Sequence, residues 1–194
     1  DGYLVNGVIF AYNYFTLVGP ENDPAGVEGK HPIDAFRSIF RAGEEGLAVF
    51  VSRGDNSGTH VRELMLWSLA GLNPEGRGWY LETGSGMAST LRVADERLAY
   101  TLTDIGTWLK LKNRLPQLRI LLGEDKLLIN IYSVYLVNPS KVEGVNEEMA
   151  RRFIDFIKSE EGQGVISSFE PMFMPALSKD IRWLEETWSW LAGY

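Results

Sequence analysis

The stretch Phe50-Val51-Ser52-Arg53-Gly54-Asp55-Asn56-Ser57-Gly58-Thr59-His60 decides how the rest of the chain is read. An apolar run, Leu47 to Val51, precedes it and predicts a buried strand. A helical pattern follows over residues 58–70, with Val61, Leu64, Met65, Trp67 and Leu69 on a broad apolar face and Gly71 at its end. Strand, glycine-rich turn and helix together aim free backbone N–H groups at an anion. Ser57 or Thr59 can cap the helix, and Gly54 and Gly58 let the backbone approach a ligand. Arg53 adds a fixed positive charge with planar donors suited to an oxyanion. The same pattern also fits a capped helix beside a solvated arginine, and the motif alone does not separate the two.

Upstream, residues 3–18 are aromatic and β-branched and predict one or two strands. Gly19-Pro20 and Asn22-Asp23-Pro24 predict a loop, and Ile33, Phe36, Ile39 and Phe40 predict a helix over 32–42. Downstream, Trp79-Tyr80-Leu81-Glu82 leads into Thr83-Gly84-Ser85-Gly86. Met87, Leu91, Ala94 and Leu98 then recur at helical steps. This second glycine turn either faces the same ligand or is simply a tight turn into a helix. Residues 99–103 predict a strand, with Asp104 as the cap of a helix to about Lys112. Strands are predicted over 118–122 and 128–137, with a solvated turn at Glu124-Asp125-Lys126 between them. A helix over 146–158 has Asn146 as N-cap and Met149, Phe153, Phe156 and Ile157 as its expected buried face. A short helix runs from Ser159 to about Phe169, and Pro171 and Pro175 bracket an expected extended segment. The tail 178–192 carries a stripe of Ile181, Leu184, Trp188 and Leu191, expected to pack on its own chain. The alternation predicts an α/β fold with largely parallel sheets.

Composition narrows the function. The 194 residues suit one large domain or two small lobes, and 45% are hydrophobic, enough for a sizeable core. With 19 basic and 26 acidic side chains the net charge is −7, and no basic run argues for nucleic acid. An acidic chain still binds an anion when the site is local and built from dipoles and one arginine. No cysteine is present, so thiolate chemistry is excluded, and the composition is compatible with an oxidising compartment. Neither an apolar run of about 18 residues nor a signal peptide is seen. The start at Asp1-Gly2, without an initiator Met, points to a processed or trimmed piece.

Catalytic constellations are weak. Asp55, Ser57 and His60 are the residue types of a triad, but they lie on one tight turn, which rarely puts the acid behind the base and the nucleophile in front of it. No G-x-S-x-G elbow surrounds Ser57 or Ser85. His31 and His60 are the only histidines, so no metal site is expected, and the chain has no nucleotide P-loop. The residues therefore point to binding without turnover and without a cofactor.

At Ser52-Arg53-Gly54-Asp55-Asn56-Ser57-Gly58-Thr59-His60 the chain resembles the tungstate-binding periplasmic proteins of ABC importers. The likeness continues through Trp79-Tyr80-Leu81-Glu82, Gly84-Ser85-Gly86-Met87 and Ala99-Tyr100-Thr101-Leu102-Thr103-Asp104. It also includes Asn130, Tyr132-Ser133-Val134, Val137-Asn138-Pro139, Phe153-Ile154-Asp155-Phe156 and Glu160-Glu161-Gly162-Gln163. The resemblance implies a type II periplasmic binding protein fold, two α/β lobes joined by crossover strands with the ligand between them. On that pattern residues 1–18 hold the end of the first lobe and the first crossover, from Tyr14 to Val18. Residues 19–131 form the second lobe. Residues 132–194 return through Tyr132 to Asn138 and finish the first lobe. It implies that Arg53 and Thr59 contact a tetrahedral oxyanion, tungstate or molybdate, that Ser57 and Gly58 offer further donors, and that Ser133 reaches it from the return strand.

It further implies a periplasmic or extracytoplasmic location and an ABC permease as partner. The family begins about a third of a chain earlier, with a T-T-S motif that does not precede Tyr3 here. An incomplete first lobe, weak or absent tungstate binding by this chain alone, and a homo-oligomer covering that lobe are the corresponding expectations. Alternatives are a phosphate-binding protein of the same fold, the oxyanion-sensing module of a regulator, and a remnant that binds nothing. Tungstate and molybdate carry no proton near neutral pH and need only donors, whereas hydrogen phosphate benefits from a carboxylate acceptor. Asp55 is expected to orient Arg53 rather than to fill that acceptor role.

Overall fold

The computed structural model describes residues 2–193. In chain order the elements are β1 (Leu4–Pro20), α1 (Pro32–Glu44), β2 (Phe50–Ser52), α2 (Gly58–Leu69), β3 (Tyr80–Glu82), α3 (Met87–Arg97) and β4 (Thr101–Asp104). They continue with α4 (Ile105–Leu111), β5 (Leu118–Leu122), β6 (Ile129–Val137), α5 (Glu147–Lys158), α6 (Glu160–Ser167), β7 (Met174–Pro175) and α7 (Ile181–Leu191). The chain divides into two compact units: Tyr14–Ile129, and Asp1–Asn13 with Asn130–Tyr194.

In the unit Tyr14–Ile129 the strands carry the two-residue alternation of a sheet covered on both faces. Leu17 and Phe50 enter one core with Phe36, Ile39, Leu66, Trp67, Tyr80, Tyr100 and Leu102. Their neighbours Val18 and Val51 enter a second core with Met87, Leu91, Ala94, Trp108 and Leu118. Helices α1 and α2 therefore pack on one face, and α3 and α4 on the other. The first core is aromatic: Phe36 meets Trp67 edge-on at 4.5 Å, and Phe50 stacks on Tyr80 at 5.9 Å. Such pairs add about 0.5–1.5 kcal/mol each beyond the area they bury. Strands β2 and β3 pair in parallel, Phe50↔Tyr80 to Ser52↔Glu82, and a parallel bridge joins Phe50 to Tyr100.

Several expectations need correction. Residues 3–18 hold a single strand, and it does not stop at Gly19-Pro20: β1 runs through both, with Gly19 opposite Arg119 and Pro20 opposite Leu118. Proline is tolerated there because it is the last residue of the strand. The sheets are not largely parallel, since β1 pairs antiparallel with β4, β5 and β7. Strand β2 is only three residues long, and Leu47 is exposed. The face that α2 buries is Thr59, His60, Glu63, Leu66 and Trp67, while Val61 and Leu64 are exposed. Apolar spacing misread that helix because its inner face is half polar. Leu98 is exposed too; it is the left-handed residue that ends α3 (φ 51°).

The second unit is tied by polar side chains. Gln163 Nε2 donates to the carbonyls of Phe10 and Ile157, and its Oε1 accepts from the Leu177 amide. Asn130 Nδ2 donates to Asn13 Oδ1, and Asn13 Nδ2 donates to the Met172 carbonyl. Asn146 caps α5 by accepting from the Met149 amide, as its sequence predicts. The expected buried face of α5 is not buried: Met149, Phe153 and Phe156 are exposed, Ile157 is half-buried and Ile154 alone reaches the core. Amphipathic spacing shows that a helix has an apolar side, not what covers it. Likewise Leu184 is buried on α7, but Ile181 and Trp188 of the same stripe are largely exposed. Between Pro171 and Pro175 the chain makes turns, with only Met174–Pro175 in a strand.

Candidate functional site

The turn from β2 into α2 is built almost wholly from its own side chains. Ser57 has extended backbone (φ −69°, ψ 166°) and is the N-cap, its Oγ accepting from the His60 amide at 3.4 Å. Gly54 sits at φ +60°, and a Cβ there would lie 2.9 Å from Glu82 Cβ, so any other residue is both strained and crowded. Asn56 is also left-handed (φ 57°), which its short polar side chain tolerates.

Three amides of the turn are claimed by side chains. The Gly54 amide donates to Ser52 Oγ at 3.2 Å, Asn56 to His60 Nδ1 at 3.1 Å, and Ser57 to Asp55 Oδ1 at 3.1 Å. Val61 donates to the Ser57 carbonyl at 2.9 Å. The Gly58 and Thr59 amides have no protein acceptor among the described residues. They are the first donors of α2 and lie at the positive end of its dipole. Thr59 is buried, and no hydrogen bond of its hydroxyl occurs among the described residues.

Arg53 is held at the same end of the helix. Its Nη2 donates to Asp55 Oδ2 at 2.5 Å, while Asp55 Oδ1 accepts from the Ser57 amide. One carboxylate thus grips both the guanidinium and the helix start. Hydrogen bonds from Ser57 and from Arg53 hold the Asp55 carboxyl below the ordinary carboxylate value. Arg53 Nε is buried with no acceptor. A buried N–H of a charged group left unpaired is costly unless something else accepts from it.

Beneath the turn lies a buried carboxylate that apolar spacing passed over. Glu63 Oε2 accepts from Ser52 Oγ at 2.7 Å, and Oε1 accepts from the Tyr80 hydroxyl at 2.7 Å and Trp67 Nε1 at 3.2 Å. Burial pushes its carboxyl up to about 7, against the pull of those three donors, with the charge of Glu82 adding to the rise. Ser52 accepts from Gly54 and donates to Glu63, so the carboxylate braces the turn through one hydroxyl. A helix whose buried positions recur as Thr59, Glu63 and Leu66 was the available signal, had polar residues been allowed inside.

The triad residue types do not assemble. Asp55 is taken up by Arg53 and Ser57, and His60 Nδ1 by the Asn56 amide; Ser57 Oγ accepts from the His60 amide rather than facing its ring. The second glycine turn is stitched to the first: the Thr83 amide donates to the Ser52 carbonyl at 3.0 Å, and the Thr83 and Thr90 hydroxyls bond at 2.9 Å. Both turns therefore stand at the carboxyl ends of the parallel strands β2 and β3, where open α/β sheets bind ligands. Of the expected contact residues, Arg53, Ser57, Gly58 and Thr59 come together here. Ser133 lies half-buried on β6, in the other unit.

The fold is that of the PBP superfamily, whose domain is matched over residues 1–161. The solved structure of the tungstate-binding protein TupA from Desulfovibrio alaskensis G20 is 40% identical, with a TM-score of 0.78 over 90% of this chain and 71% of that one. TupA of Peptoclostridium acidaminophilum is 41% identical over 174 residues, 87% of this chain and 60% of that one. A Haloferax volcanii protein, provisionally named an ABC transporter anion-binding protein, is 42% identical over 190 residues, 93% of this chain and 54% of its own length. The chain belongs to the TupA family of solute-binding proteins. It spans little more than half the length of the two curated relatives.

Proposed function

We propose that this chain binds a tetrahedral oxyanion, tungstate first and molybdate next, at the start of α2, as the extracytoplasmic solute-binding partner of an ABC permease. One observation carries the reading. Arg53 Nε is buried without an acceptor at a helix start whose Gly58 and Thr59 amides and Thr59 hydroxyl are also unclaimed. The amides and Nε can only donate and the hydroxyl can donate, which suits a dianion without a proton. Relatives named as tungstate-binding and as anion-binding proteins of ABC transporters support the same ligand class and partner. The chemistry is recognition without turnover.

Isothermal titration of the 194-residue chain with sodium tungstate tests this, with Arg53→Ala as control. Saturable binding that Arg53→Ala weakens by about 2–5 kcal/mol supports the assignment, since a charge-assisted partner in a buried site is lost. No binding at millimolar tungstate, the outcome that the incomplete first lobe implied by the resemblance predicts, or equal binding by the variant, overturns it. The resemblance also assigns Ser133 to the ligand, and Ser133→Ala in the same titration tests that role separately. Phosphate competing at the concentration of tungstate would favour a phosphate-binding protein instead.

A further inference from the structure

Arg62 is a cation without a counter-charge. Its side chain is half-buried on the first turns of α2, and no carboxylate pairs with it among the described residues. Burial alone pushes its guanidinium down to about 10; no acidic group acts to raise it. What holds it is neutral: Nη1 donates to the Leu127 carbonyl at 2.6 Å, and the guanidinium carbon lies 5.4 Å from the centre of the Phe15 ring. Other arginines here, such as Arg37, Arg77 and Arg119, are paired with acids on the surface. A desolvated charge that the fold leaves unanswered is expensive, and the protein keeps it one helical turn from its unclaimed amides.

The helix geometry sets where that charge acts. Thr59 and Arg62 are three residues apart, so their Cβ atoms lie about 5–6 Å from each other on one side of α2. Side chains on a helix lean toward its N-terminus, which here is the end with the free Gly58 and Thr59 donors. We propose that Arg62 is a second cation of the oxyanion site, a positioning and charge-supplying residue that Leu127 and Phe15 hold still and that the bound dianion neutralises. It need not touch the ligand, because a field over about 5–10 Å in a partly buried setting is screened far less than on the surface. The inference rests on the oxyanion reading above and adds a residue that neither the motif nor the resemblance picks out.

The test compares Arg62→Met and Arg62→Lys with the wild type, in the full chain, by tungstate titration and thermal melting. Arg62→Met removes the charge and keeps the bulk. Its tungstate affinity should fall roughly ten-fold or more, while its melting temperature without ligand holds or rises because a buried uncompensated charge is gone. Arg62→Lys should restore most of the affinity. Raising NaCl from 50 to 500 mM should weaken the wild type more steeply than Arg62→Met. Unchanged affinity in Arg62→Met overturns the inference. So does a variant that loses affinity and stability together and is not rescued by lysine, since Arg62 would then be only a structural pin. A wild-type chain that binds no tungstate fails at the earlier step and removes the anion this charge is meant to answer.

Discussion

Glu63 offers the most quantitative test of the fold around the site. Its carboxyl rises from an ordinary 4.5 to about 7 because burial opposes ionisation more than Ser52, Tyr80 and Trp67 favour it. Between those two values the native state holds a proton that the unfolded chain has already lost. Unfolding then releases that proton, so stability falls as pH rises. The slope cannot exceed about 1.4 kcal/mol per pH unit for one group, and over this interval the total is about 3 kcal/mol, levelling above pH 7. Glu63→Gln cannot ionise and removes this contribution.

Urea unfolding should be followed by tryptophan fluorescence at half-unit steps from pH 5 to pH 8, for the wild type and for Glu63→Gln. The difference between the two profiles isolates Glu63, because every other titrating group is common to both. Asp55, whose carboxyl is held below its ordinary value, contributes stability that is lost only on further acidification and so lies outside the window. The wild type should lose about 3 kcal/mol more than the variant between pH 5 and pH 8. Parallel profiles would refute the account, and so would a wild type that gains stability relative to the variant.

Two further changes probe the turn itself. Thr59→Val removes a hydroxyl that has no protein partner among the described residues, so melting should shift little while tungstate affinity in calorimetry falls by about 1–2 kcal/mol. Gly54→Ala puts a methyl group at φ +60° and 2.9 Å from Glu82 Cβ; about 1–3 kcal/mol of stability should be lost in urea titration, with weaker tungstate binding because the turn must shift.

The parts of this molecule that were legible in its sequence are those governed by local chemistry. Asn146 before α5, Asp104 before α4 and Ser57 before α2 all cap as their residue types require, and each accepts a helix-start amide. The pairing of Arg53 with Asp55 was legible for the same reason, since two residues on one turn have few other places to go. What escaped was set by partners distant in sequence. Nothing in Phe15, Leu102 and Leu122 says that one strand will carry antiparallel neighbours from residues 101–104 and 118–122. Glu63 drew no reading at all, because its three donors come from positions 52, 67 and 80. Val61 and Leu64 looked like core because apolar periodicity cannot see that a buried carboxylate and a buried imidazole claim the inner face of α2 instead.

That displacement bears on selectivity. An inner face of Thr59, His60 and Glu63 costs hydrophobic stabilisation, but His60 takes the Asn56 amide and Glu63 holds the Ser52 hydroxyl that takes the Gly54 amide. Asp55, the one carboxylate within the turn, has both oxygens engaged, by Arg53 and by the Ser57 amide. A hydrogen phosphate seated on the Gly58 and Thr59 amides would then find no unengaged carboxylate in the turn, and only the Thr59 hydroxyl, itself wanted as a donor, left to accept from the phosphate hydroxyl. Leaving that hydroxyl unpaired in a desolvated site costs about 1–3 kcal/mol, which is roughly ten-fold or more against phosphate. Tungstate and molybdate have no proton to place and incur no such cost. The net charge of −7 is no obstacle, because a dianion at this helix start meets two unclaimed amides, one hydroxyl and the Arg53 guanidinium before it meets the acidic surface. On the proposed site, discrimination would arise from which groups the turn has already satisfied before any ligand arrives.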